Sequence, residues 1–208
     1  SKILQYSVLE TLNVSRETFE DFEEYSSLIL SRNKKINLIG RGTEKILRHR
    51  HIIDSAQIID FIDKNEKICS DIGSGPGLPG IVLAIIMKHK KISMKFNLYE
   101  KSFRKTEFLN EVINKFNLNA EVFQKNIFEE KNLVTDTLVS RAFKPLPTIL
   151  DLVSNNFKKL NSIILFLGKS GKEYLPNCMR SWNFEYKEKK SLTNPESKVI
   201  KIYNLKKK

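Results

Sequence analysis

The densest chemical signal in the chain is Asp71-Ile72-Gly73-Ser74-Gly75-Pro76-Gly77-Leu78-Pro79-Gly80. An acid is followed by alternating glycines, with an apolar run before the loop and another after it. Glycine reaches positive φ without steric cost and lets a ligand approach the backbone closely. A helix opening near Pro79, where a missing N–H costs nothing, points its free N–H groups at the same spot. The next apolar run ends in Glu100, a carboxylate suited to the hydroxyls of a ribose. These residues predict a nucleoside-bearing ligand held in a crevice at strand ends.

The loop parses in two ways. Gly75-x-Gly77-x-x-Gly80 fits the dinucleotide fingerprint, whereas Asp71 with Gly73-x-Gly75-x-Gly77 fits the loop of class I S-adenosylmethionine-dependent methyltransferases. Two details favour the methyl donor. Asp71 stands two residues before the first glycine, placed to meet the donor's ammonium or to orient the loop. Pro76 lacks an N–H and stiffens a loop that a dinucleotide needs to wrap around its pyrophosphate.

Such a loop requires neighbouring strands that end together, and the apolar spacing predicts them. Strands are expected at Ile68–Ile72, Ile92–Tyr99, Ala120–Phe123, Thr137–Ser140, Ser162–Leu167 and Lys198–Leu205, with helices at Pro79–Lys88, Phe103–Phe116 and Leu146–Lys159. Strands alternating with helices mean an α/β fold, a mostly parallel sheet with helices on both faces. Upstream, Phe19, Phe22, Tyr25, Leu28 and Ile29 recur at helical spacing over Arg16–Ser31, behind Ser15 as N-cap. A basic turn leads from there into a second helix over Thr43–Phe61. The expected division is a helical N-terminal extension, residues 1–62, on a donor-binding domain, residues 63–208, in one compact unit.

Composition narrows the partners. The chain has 208 residues and a net charge of +12, with 40% hydrophobic and 29% charged residues, a globular rather than disordered balance. No uncharged apolar run approaches the roughly 20 residues of a membrane span. The first ten residues hold no apolar signal core, so a soluble cytoplasmic protein is expected. Cys69 and Cys178 fit neither a disulfide framework nor a CxxC metal pattern, and no metal site is expected. The positive charge is clustered. Residues 31–51 carry seven basic side chains against Glu44, and residues 88–105 carry seven against Glu100, whereas residues 1–30 carry two against six acids. That distribution predicts a polyanionic partner.

Several further segments fit one family. Asn37-Leu38-Ile39, Arg50-His51-Ile52-Ile53-Asp54-Ser55, the glycine loop and Ser140-Arg141-Ala142-Phe143, in this order and spacing over Ile36–Lys169, resemble the RsmG (GidB) family of bacterial 16S ribosomal RNA guanine-N7 methyltransferases. Phe103-Arg104-Lys105 with Phe108-Leu109 is similar to the family's basic helix start. The resemblance implies a Rossmann-like methyltransferase with a seven-stranded sheet, and S-adenosylmethionine as cofactor. It implies a donor site built from Gly73, Ser74, Gly75, Gly77, Leu78 and Glu100, with Ile127 and Phe128 flanking the adenine and Arg141 reaching the donor or the target base. Arg50, His51, Arg104, Lys105 and Lys169 are the candidate RNA contacts. The partner implied is 16S RNA, a small ribosomal subunit or an assembly intermediate, with no membrane, and a monomer is expected. Three positions depart from the pattern. Glu100 replaces the usual Asp, Asn126 stands where Arg is frequent, and Leu167-Gly168-Lys169 replaces Leu-Lys-Gly.

Guanine N7 has an in-plane lone pair and no proton to remove, so no general base is expected and positioning should dominate. An Arg fork on both O6 and N7 would cover the attacking lone pair. Arg141 is therefore expected on O6 alone, on a phosphate, or on the donor. Paired A-form RNA buries N7 in a narrow groove, so the target must be unstacked or presented by a folding subunit. Basic residues at 32–50 and 88–105 are expected to hold phosphates, with Lys206–Lys208 as a flexible addition. Some residues read two ways: His51 as substrate contact or as packing beside an Arg50–Asp54 i, i+4 pair, and Phe143 as base-stacking ring or core. The competing functions are a methyltransferase with a non-RNA acceptor, a nicotinamide oxidoreductase, and a non-catalytic RNA-binding or ribosome-assembly module. Intact Gly73, Gly75, Gly77 and Glu100 argue against the last.

Overall fold

The computed structural model describes residues 2–169 and 171–208, without the side chains of residues 2–4 and 172. Seven strands form one sheet in the order β3-β2-β1-β5-β7-β9-β8. They are β1 (Ile68–Ile72), β2 (Lys95–Tyr99), β3 (Ala120–Phe123), β5 (Thr137–Ser140), β7 (Ser162–Leu167), β8 (Trp182–Lys190) and β9 (Lys198–Lys207), while β4 (Leu133–Val134) and β6 (Phe157–Lys159) pair apart from it. Only β9 runs against its neighbours in the main sheet. The chain leaves β1 for β2 on one side and returns to β5 on the other, with Asp71 in register with both Leu98 and Val139. Such a switch point leaves a crevice beyond the carboxyl ends of the central strands.

Period-two alternation sends side chains to two cores. Val139, Ile164 and Val199 join Phe96 and Leu98 beneath α1 (Arg16–Ile36), α3 (Gly80–His89) and α4 (Phe103–Phe116). Leu138, Ile163, Leu165 and Ile200 face the other way, toward α5 (Leu146–Asn156) and α6 (Gly171–Ser181). The N-terminal region shares the first core. Tyr6 and Leu9, from a run of 3₁₀ turns over Lys2–Leu12, cluster with Phe19, Phe22 and Tyr25 of α1 and with Leu83 of α3.

Several expectations are corrected. The segment expected as one helix over Thr43–Phe61 is a series of turns of changing pitch: 3₁₀ at Arg41–Ile46, π at Arg48–Ile53, the α turn α2 at Asp54–Ala56, and 3₁₀ at Ile59–Phe61. Every residue from His51 to Ile59 is buried, so no amphipathic stripe imposes the 3.6-residue period. α1 continues to Ile36 and ends at Asn37 with φ +47°. α5 stops at Asn156, and Phe157–Lys159 pairs with β4 instead. β2 begins at Lys95 rather than Ile92, and α3 begins at Gly80 with Pro79 as its N-cap. Lys206 and Lys207 belong to β9, with the Lys207 ammonium over the Trp182 ring at 5.4 Å, and are not a flexible tail.

Candidate active site

The glycine loop leaves β1 at the switch point with Gly73, Gly75 and Gly77 at φ +66°, +55° and +101°. Glycine is required twice over at two of them. A Cβ on Gly73 would lie 2.2 Å from the Phe143 ring, and one on Gly77 2.2 Å from Ile81. The loop is tied from three directions. Asp71, fully buried, accepts the Gly80 N–H through Oδ2 at 2.9 Å and so joins the strand end to the start of α3. Glu100 accepts the Gly75 N–H at 2.9 Å with one oxygen and the Ser102 N–H at 2.8 Å with the other. The Tyr25 hydroxyl of α1 donates to the Pro76 carbonyl at 2.6 Å.

Burial pushes the Asp71 carboxyl up to about 7, although the Gly80 amide pulls it back. Its Oδ1 has no hydrogen-bond partner among the described residues. Asp71 has no exposed surface, so it orients the loop from behind rather than meeting a ligand's ammonium.

Beside the loop lies a cavity of about 230 Å³. Gly73, Gly75 and Glu100 form one wall, Tyr99, Ile127 and Phe143 supply apolar surface, and Lys101, Lys105 and Lys125 stand around it. Ser74, Gly77 and Leu78 are turned into the loop's own packing: the Ser74 hydroxyl donates to the Asp71 carbonyl at 3.0 Å, and Leu78 lies in the core. Ile127 sits in a turn held by Asn156, whose side-chain NH₂ donates to the carbonyls of Ile127, Phe128 and Glu130 at 3.1, 3.0 and 2.6 Å. Phe128 lies outside the cavity and stacks on Phe143, ring centroids 6.0 Å apart.

A second hollow, of about 400 Å³, opens between the N-terminal turns and the ends of β5 and β7. Arg50, His51, Asp54, Arg141 and Ala142 line it. Arg141 donates to Asp54 Oδ2 and to the Arg50 carbonyl, both at 2.9 Å, and to His51 Nδ1 at 2.6 Å. His51 therefore carries its proton on Nε2, which donates to Thr43 Oγ1 at 2.7 Å, and Thr43 donates on to the Gly40 carbonyl. Burial, with the Arg141 and Arg50 charges, lowers the His51 pKa to about 4, so the imidazole is neutral at pH 7 with both nitrogens engaged. Asp54 also accepts from Thr193 at 2.6 Å and from Gln57 at 3.0 Å. Its partner is thus Arg141, in the loop just after β5, not Arg50 one turn away.

The candidate RNA contacts are dispersed. Arg50 and His51 line the second hollow and Lys105 the first. Arg104 faces a groove with Arg32 and Lys35, between α1 and α4, and Lys169 is exposed beside Gly168. The basic run 88–105 does not form one patch. Lys88, bonded to Asp21 at 3.3 Å, and Lys95, bonded to Glu121 at 2.6 Å, lie where α3 ends and β2 begins, at the far end of the sheet from the crevice. Tyr25, Asn156 and Thr193 escaped sequence reasoning. Tyr25 reads as one more core position on α1, and nothing local marks the carbonyls or carboxylate that the three side chains reach.

The family model described as rRNA small subunit methyltransferase G (GidB) matches residues 18–202. The chain is 46% identical over 205 residues to the ribosomal RNA small subunit methyltransferase G of Pelagibacter ubique, covering 98% of this chain and 96% of that protein. It is 34% identical to the protein of the same name from Cereibacter sphaeroides, covering 96% and 97%. Among solved structures, the fold resembles M. capricolum TrmK in complex with S-adenosyl-homocysteine, with TM-score 0.55 and 17% identity over 72% of this chain and 66% of that one.

Proposed function

Since the chain belongs to the rRNA small subunit methyltransferase G family, and is therefore an S-adenosylmethionine-dependent methyltransferase of small-subunit ribosomal RNA, we propose that it acts at N7 of one guanine in the 16S RNA and that the two adjoining hollows hold the two reactants. The observation that carries this reading is the corner at residues 141–143. Arg141 and Ala142 wall the second hollow while Phe143, across Gly73, walls the first. Ala142 turns between them at φ +52°. A base entering the second hollow thus meets a methyl group presented from the first.

The residues present fit the donor. Gly75 leaves open the space that a Cβ would fill, with no other atom within 4 Å of it, and each Glu100 oxygen, having accepted one N–H, keeps a lone pair for a ribose hydroxyl. Ile127 and Tyr99 offer apolar surface to an adenine. S-adenosylmethionine, when bound, supplies a methyl group on a sulfonium. The chain's own residues then orient and desolvate. With His51 neutral and fully bonded, no base is recruited, and N7 requires none. Three of the five Arg141 N–H groups have partners, which leaves two directed by a fixed guanidinium toward O6 or a phosphate. Residues 1–62 form the RNA-facing extension and 63–208 the donor-binding unit of a monomer that works in the cytoplasm.

The test is methyl transfer from labelled S-adenosylmethionine to 16S RNA and to small subunits from a strain lacking this enzyme, with N7-specific strand scission to locate the product. A single labelled guanine is expected. Donor binding without transfer to RNA would overturn the acceptor assignment.

A further inference from the structure

The first turn of α4 hangs directly from the donor cavity, because Glu100 lines that cavity and holds the Ser102 N–H at the helix start. The run there is Lys101-Ser102-Phe103-Arg104-Lys105. Phe103 is 58% exposed, the most exposed aromatic side chain among the described residues. At 100° per residue, α4 buries Thr106, Leu109, Val112, Ile113 and Phe116 on one side and sets Phe103 on the opposite side with Glu107, Asn110 and Asn114. Phe103 joins neither core and stacks on no other ring among the described residues. Packing gives no reason for an aromatic ring at this position.

The cations around it do. Lys101 and Arg104 are exposed and have no carboxylate partner among the described residues. Lys101 and Lys105 also line the donor cavity. A free aromatic face among cations suits single-stranded nucleic acid, whose bases stack on the ring while its phosphates meet the charges. An acceptor guanine with N7 exposed is already unstacked, which frees the faces of its neighbours.

We propose that Phe103 is the stacking platform for the base of a nucleotide flanking the acceptor guanine, with Lys101 and Arg104 on the adjoining phosphates. This rests on the reading of the acceptor as RNA. The side chain is at the surface, so its replacement leaves the fold intact.

The experiment compares wild type, Phe103→Ala, Phe103→Trp and Arg104→Ala in methyl transfer to small subunits, in RNA binding across a salt series and in donor binding. Loss of the ring should weaken RNA binding and raise the RNA KM by roughly five- to a hundredfold, with donor affinity and salt slope unchanged. Phe103→Trp should restore both, and Arg104→Ala should reduce the salt slope by about one. Wild-type RNA KM in Phe103→Ala, alongside a wild type that methylates RNA, would overturn the platform and leave the RNA reading standing. Weakened donor binding or an altered salt slope in Phe103→Ala would overturn it as well. A wild type that transfers no methyl to any RNA would overturn both.

Discussion

The Arg141–Asp54 pair lends itself to a quantitative test. The two side chains are 14% and 9% exposed and 2.9 Å apart, so neither charge relies on water. Removing one partner of a buried pair costs about 3–5 kcal/mol, because the remaining charge stays buried without compensation. Asp54→Leu should fall near the lower end, since Arg141 keeps the Arg50 carbonyl and His51 Nδ1. For a chain of 208 residues, about 3 kcal/mol lowers Tm by roughly 6–12 °C. Arg141→Met should cost a similar amount by stranding the carboxylate, whereas the double variant leaves no buried charge at this pair. Urea unfolding of the four proteins at pH 7.5 should therefore give a coupling energy of about 2 kcal/mol or more, the double variant being less damaged than the sum. Additivity within about 0.5 kcal/mol would refute the pair as a structural unit. Arg141→Lys adds the functional arm. One ammonium does not reproduce a planar fork that reaches Asp54, Arg50 and His51 at once, so turnover should fall more than tenfold. Near-wild-type turnover would show that fork geometry is irrelevant.

Tyr25→Phe leaves the Pro76 carbonyl without its donor while Gly77 frees the same peptide to rotate, so the donor Kd should rise about fivefold, from the lower end of a 1–3 kcal/mol desolvation penalty, with kcat at saturating donor within twofold. Isothermal titration decides it, and an unchanged Kd removes Tyr25 from the loop's support. Gly73→Ala drives a methyl onto the Phe143 ring at a φ of +66°, and should abolish donor binding and destabilise by about 1–3 kcal/mol. Adding Phe143→Ala should restore part of that stability but not the strained φ, and a double variant no more stable than the single one would exclude the clash. For His51 the folded pKa of about 4 lies below the usual 6.5, so the unfolded chain takes the proton first. Its effect is nil above about pH 7 and destabilises progressively as pH falls from about 6.5 to 4, by about 3 kcal/mol in all. Asp71, raised to about 7 from 3.8, works oppositely and loses stability as pH rises through that interval. Urea unfolding should therefore lose stability less steeply toward pH 4 in His51→Gln than in wild type, and identical slopes would contradict a neutral buried His51.

The elements legible in the sequence are those whose cause is local. α4 runs from Phe103 to Phe116 as expected, since Thr106, Leu109, Val112, Ile113 and Phe116 form one stripe. β1, β3, β5 and β7 also match, being short apolar runs between turn signals. The glycine loop was readable because a positive φ is a demand on the residue itself. β8 went unrecognised because Lys and Glu fill most of it and only Trp182 and Phe184 are buried.

The site's internal wiring was not readable, and the reason is geometric. Asp54 has Arg50 one helical turn behind it, and sequence spacing pairs them. The fold instead brings in Arg141 from the loop just after β5 and Thr193 from the β8–β9 turn, 87 and 139 residues away along the chain. The same holds for Tyr25 with Pro76 and for Asn156 with the turn at Ile127. The basic run 88–105 was a single cluster in sequence, but β2 carries its two ends to opposite ends of the sheet. Residue type and spacing determine which chemistry is present and which periodicity will fold. Which group faces which is decided by strand order, because parallel neighbours in a sheet are joined only through long crossovers, and those place side chains together that no local pattern relates.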